Sequence, residues 1–132
     1  MSTLAGRPTL GLVLRMLLSI VGAGVCYVAW VAVVLMWARD APPVLRAVSW
    51  VTAPIVTGLG WAIGIWISEG LTGARATGFL RLLAWPLAGC AVGAAVVCPF
   101  GPMLIVFGIF VGGYASACLR ELVLGTRRGR TA

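Results

Sequence analysis

Residues 89–112 read GCAVGAAVVCPFGPMLIVFGIFVG, from Gly89 to Gly112. The run is apolar on both sides of Pro99–Phe100–Gly101–Pro102, and prolines with a glycine in so short a space mark a tight turn. In an antiparallel hairpin folded there, residues equally far from the turn lie at equal depth. Gly89 and Gly112 are equally far from the Phe100–Gly101 bond, as are Gly93 and Gly108, and as are Trp85 and Ser116. Glycines that meet in pairs let two helix backbones approach closely. Helices associate this way in lipid, where no hydrophobic force drives them together. The stretch therefore predicts a tight glycine-rich hairpin, helix three against helix four.

Working outward, the same apolar character covers nearly the whole chain. Hydrophobic residues make up 61% and charged residues 10%, against about 45–50% and about 25% in soluble domains. A hydrocarbon core needs about 20 apolar residues per helix, and four stretches supply them: about 10–38, 47–68, 78–98 and 102–124. Each is continuously apolar, whereas a membrane strand alternates every second residue. A helix also satisfies its own backbone in lipid. The expected fold is an all-α integral membrane protein, one domain over residues 1–132, with four transmembrane helices in a small bundle.

Arginine sets the expected orientation. Arg7, Arg15, Arg75, Arg81, Arg120, Arg127, Arg128 and Arg130 fall on the side shared by both termini, and only Arg39 and Arg46 on the other. Basic residues stay cytoplasmic, so both termini are expected inside. The run from Met16 to Ala38 is too long for a cleaved signal segment and reads as an anchor. The net charge of +7 is scattered at helix ends and predicts no nucleic-acid partner. The Arg127–Arg128–Gly129–Arg130 tail is a candidate contact for anionic lipid. Basic residues that are all arginine fit a GC-rich bacterial genome and hence a bacterial cytoplasmic membrane.

Small residues recur on the helices as well. Gly60, Gly64 and Ser68 follow one another every fourth residue, as do Gly108, Gly112 and Ser116. These, with Gly89 and Gly93, are the expected helix-packing residues of GxxxG type. Tyr27, Trp30 and Trp37 share a face of helix one and are expected to meet a partner or lipid. The segment from Glu69 to Gly78 reads as a polar loop, with Thr77 a candidate cap for helix three. Pro54 is placed early in helix two, where a missing N–H costs least.

The chemistry available is narrow. The chain has no His, Lys, Asn or Gln, and its three acids, Asp40, Glu69 and Glu121, are expected near the interfaces. Acid–base catalysis needs a positioned proton carrier, and His-dependent nucleophile systems have no histidine to use. Cys26, Cys90, Cys98 and Cys118 are too dispersed along the spans for a metal site and read as packing residues. No catalytic, cofactor or metal residue is expected. Arg120 and Glu121 read as an interfacial pair of charges.

These features predict a non-catalytic small subunit, or an assembly or stabilising factor, that packs against other integral membrane subunits. The alternative is a small homo-oligomeric transporter or channel. The four-helix plan is similar to that of the small multidrug-resistance exporters. That family needs a membrane-embedded glutamate in its first helix, and Met16 to Ala38 contain none.

Overall fold

The computed structural model describes residues 8–73 and 78–130. Four helices carry the chain: α1 (Pro8–Trp37), α2 (Pro43–Thr72), α3 (Phe79–Val97) and α4 (Pro102–Arg130), with a 3-10 turn at Cys98–Phe100 before α4. Each is long and apolar enough to cross a membrane, α3 together with its 3-10 extension. Arg7, Arg75 and Thr77 lie outside the described residues, so the proposed Thr77 cap does too.

The helices pack as two hairpins, α1 with α2 and α3 with α4, and α2 then lies against α3. At one end of the bundle α1 and α3 begin while α2 and α4 finish; this is called the open-strand end below. The tight turns at 38–42 and 98–101 lie at the other, the turn end. Gly101 takes φ 117° in the second turn, a conformation only glycine adopts without strain.

Close backbone approach holds each hairpin together. A Cβ on Gly93 would run into the carbonyl of Gly108, and one on Gly112 into that of Gly89. Ser116 completes this seam, its side chain against Gly89. The first hairpin is built the same way: Gly22 meets Gly60, and Gly64 meets Leu18 and Ser19. Gly22 and Gly60 are equally far from Ala41, as are Leu18 and Gly64. Both hairpins therefore obey one depth rule. The spacing Gly-x3-Gly-x3-Ser occurs in α2 and again in α4, running toward the open-strand end in each.

Three sequence expectations need correction. Helix α2 does not stop at 68 but continues through Glu69 to Thr72, and Gly73 caps it with φ 67° and N–H bonds to the carbonyls of Glu69 and Gly70. A left-handed glycine after the last turn is a common helix stop, and the carboxylate of Glu69 is accommodated because a cation from α4 meets it. Because α2 begins at Pro43, Pro54 sits in its interior, and the helix runs through it. Pro86 is likewise inside α3, fully buried.

Trp30 is the third. It is not a partner or lipid face but part of the core, 9% exposed. Its indole N–H donates to Thr52 Oγ1 at 2.9 Å, and its ring meets Trp50 edge-on. The polar edge of an indole in lipid gains from a hydroxyl on the neighbouring helix. Tyr27 is half-buried between Trp30 and Phe110 of α4, with centroids at 5.8 and 5.6 Å. Trp37 is exposed at the turn end.

Candidate functional site: a buried ion network between the hairpins

At the open-strand end the stripes of small residues run into charge. In α4, Arg120 follows Ser116 by four residues, so it stays on the inward face that Gly108 and Gly112 define. In α2, Glu69 follows Ser68, one step past the end of its stripe. Both side chains turn inward, at 3% and 1% exposed, and Arg120 Nη2 donates to Glu69 Oε1 at 2.7 Å. Arg120 Nη1 also donates to Glu121 Oε1 at 3.1 Å. Glu121 in turn accepts from Arg15 Nη1 of α1 at 3.2 Å. Two arginines and two carboxylates thus form one chain of ion pairs, and its formal charges cancel.

The sequence reading took Arg120 and Glu121 as a pair of charges by themselves; the structure joins that pair to Glu69 and Arg15 and buries Glu69 and Arg120 within the bundle. Ser19, Thr57, Ser68, Glu69, Ser116 and Arg120 are all buried polar residues. A charge taken out of water costs several kcal/mol unless a partner and hydrogen bonds replace its hydration. The guanidinium of Arg120 meets that need with a planar fork that serves two carboxylates at once. Ionisable groups inside apolar helices are expensive and generally mark a functional position.

The connectivity matters more than the count. Among the described residues, each ion pair that links two helices also links the two hairpins: Glu69 of α2 to Arg120 of α4, and Arg15 of α1 to Glu121 of α4. Glycine seals each hairpin internally, and charge ties one hairpin to the other at the open-strand end. Aromatic and apolar contacts join the hairpins as well: Trp66 is edge-on to Phe79, and Ala62, Ile65, Leu82 and Ala117 cluster, on the ion-pair side, while nearer the turn end Tyr27 is edge-on to Phe110. Between these two zones Trp61 of α2 lies on the backbone of α4 at Gly113, where any Cβ would meet the indole.

The serines are quieter. Ser19, Ser68 and Ser116 donate to carbonyls of their own helices at 2.9, 2.6 and 2.8 Å, a usual way to satisfy a hydroxyl in an apolar helix. Among the described residues, the buried side-chain atoms Thr57 Oγ1, Trp61 Nε1, Glu69 Oε2 and Arg15 Nε have no hydrogen-bond partner within the protein. Among the described residues no group of His, Cys, Asp or Glu is placed to hold a metal ion.

Of the packing residues read from sequence, Gly60 and Gly64 on α2, Gly89 and Gly93 on α3, and Gly108, Gly112 and Ser116 on α4 are found in the seams within the hairpins, and Ser68 is buried. Sequence reasoning missed Gly22, Gly113 and the network. Its available signal was Arg120, which continues a stripe of inward small residues. No protein family, curated protein or solved structure matches the chain. What the fold defines is a class: four apolar helices packed as hairpins, the plan of a multi-pass membrane protein.

Proposed function

We propose that the chain is a non-catalytic small subunit, or an assembly or stabilising factor, of a larger bacterial membrane complex. The observation that carries this reading is a groove of about 680 Å³ along the outer side of the α3–α4 hairpin. Its lining mixes small residues, including Ala88, Gly93, Gly108 and Ala115, with large apolar ones such as Trp85, Leu104 and Phe107, and Val92 and Val111 are exposed. An apolar groove with glycine and alanine in its lining suits a helix of another integral membrane subunit, because small residues allow the close approach on which association in lipid depends. Purification of the tagged chain from its native membrane in mild detergent tests this. Val92→Trp, which blocks the groove, is expected to abolish co-purification of a discrete membrane subunit while the chain stays folded. Solute flux through vesicles holding this chain alone would overturn it.

The same reading places the chain in the bacterial cytoplasmic membrane with both termini in the cytoplasm. The arginine bias supports it, and the composition of the Arg127–Arg128–Gly129–Arg130 tail suits anionic lipid headgroups. Fusion of a reporter active only outside the cytoplasm to residue 40 and to the C terminus tests the orientation; activity is expected only at residue 40.

A second reading, a small homo-oligomeric transporter, is favoured by one feature, the buried polar and charged residues along the contact between the hairpins. Substrate-dependent flux by the purified chain distinguishes it from the first.

A further inference from the structure

Glycine contact does not run the whole length of the α1–α2 hairpin. Between Gly24 and Gly58 the chain has no glycine, so toward the turn at 38–42 the seam is set by side chains. Trp30 is level with Thr52, Val34 with Val48 and Trp37 with Leu45, each pair equally far from Ala41. The indole of Trp30 reaches Thr52 through its N–H, and side chains of this size do not allow the approach made at Gly60. Beside them lies a hollow of about 280 Å³, lined by these six residues together with Val33 and Ser49 among others. Val33, Trp37, Leu45 and Val48 are exposed, so the hollow opens on the membrane and not into the bundle.

The lining suits hydrocarbon. Thr52 Oγ1 accepts from Trp30 and donates to the carbonyl of Ser49 at 2.7 Å, and Ser49 Oγ donates to the carbonyl of Leu45 at 2.9 Å. Neither hydroxyl is left seeking a partner, so the walls give water little to bind. An unfilled hollow forfeits dispersion contacts, and a flexible apolar chain supplies them. The mouth suits an anion. Arg39 follows Ala38 of the lining and Arg46 follows Leu45, and both are exposed. Among the described residues neither makes an ion pair, nor does Asp40 beside Arg39. Two cations against one anion leave a single positive charge, and no other charged residue lies at the turn end of the described chain. Exposed Trp37 and Trp50 mark this level as the headgroup boundary, where tryptophan rings collect.

We infer that this notch binds one anionic phospholipid of the leaflet on the turn side, with an acyl chain in the hollow beside Trp37 and the phosphate paired with Arg39 and Arg46. Arginines alone gather a diffuse layer of anionic lipid, and an apolar hollow alone takes any chain. Side by side they select a molecule that carries a phosphate directly above hydrocarbon. The guanidinium fork fits phosphate oxygens, while the arginine stem lies along apolar surface. The site is separate from the α3–α4 groove, and it lies at the opposite end of the bundle from the end of α4. It goes beyond the subunit reading and does not rest on it.

Native mass spectrometry supplies the test. The full-length chain is released from micelles that hold equal amounts of phosphatidylglycerol and phosphatidylcholine with identical acyl chains. One phosphatidylglycerol is expected to stay bound per chain, favoured over phosphatidylcholine roughly tenfold. Arg39→Gln combined with Arg46→Gln is expected to bring the two lipids close to parity. Val48→Trp fills the hollow from a position that is 51% exposed, so the core is left alone; it is expected to lower retention of both lipids several-fold. Replacing Arg127, Arg128 and Arg130 with glutamine is expected to leave the lipid in place. A chain that retains no lipid would overturn the assignment. So would a preference that survives loss of Arg39 and Arg46, retention unchanged by Val48→Trp, or a bound lipid that disappears with the tail arginines.

Discussion

Replacing Glu69 with glutamine is the sharpest perturbation of the packing, because it changes one charge and almost no volume. The carboxylate is 1% exposed and receives a 2.7 Å bond from an arginine that is itself 3% exposed. Breaking a buried pair by removing one partner costs about 3–5 kcal/mol, since the surviving charge stays buried and uncompensated. Arg120 keeps Glu121 at 3.1 Å, so the expected loss lies at the low end, about 3 kcal/mol. A second change separates the cost of the orphaned charge from the worth of the pair. Glu69→Leu combined with Arg120→Met removes both charges and is expected to destabilise by less than Glu69→Gln alone, because apolar replacement of a buried pair is often near neutral. The assay is reversible unfolding in mixed detergent micelles, followed by tryptophan fluorescence. A loss below about 0.5 kcal/mol for Glu69→Gln, the range of an exposed pair, would refute the reasoning. A double variant less stable than the single would refute it too.

Other outcomes follow from the same geometry. Gly93→Leu is expected to cost about 3 kcal/mol, the upper range for overpacking, because its Cβ meets the backbone of Gly108 and not a movable side chain; thermal unfolding in detergent measures it. Thr57→Val keeps the shape and removes an unpartnered hydroxyl, so it is expected to stabilise by about 1 kcal/mol in the same assay. Trp30→Phe breaks the bond to Thr52 and is expected to cost about 0.6 kcal/mol, the mean for a hydrogen bond between membrane helices; a loss of several kcal/mol would mean that the indole does more than fill space and bond Thr52.

The helices are legible in the sequence because lipid demands long uninterrupted apolar runs, and nothing else in a chain of this length satisfies that demand. The register of α3 against α4 is legible for a local reason: Pro99 and Pro102 fix the turn so tightly that depth becomes simple counting. The same counting about Ala41 pairs Gly22 with Gly60. It is harder to see because Gly64 meets Leu18 and Ser19, not a second glycine. The ion network is different in kind. Glu69 and Arg120 are brought together by how one hairpin docks on the other, and no turn or periodicity fixes that docking. Only the inward stripe that ends in Arg120 announces it. Trp30 misleads for a related reason: an aromatic face on an apolar helix looks the same whether it meets lipid or a neighbour, and Thr52 decides which.

The central claim is that glycine builds two hairpins and charge joins them at one end. The most direct measurement is cross-linking by a short bifunctional thiol reagent in the full-length chain, with its native cysteines replaced by alanine and new ones at positions 69 and 120. The account predicts efficient cross-linking of that pair in lipid vesicles and protection of both positions from aqueous labelling. A pair that fails to cross-link, with position 69 labelled as readily as an exposed loop, would contradict it.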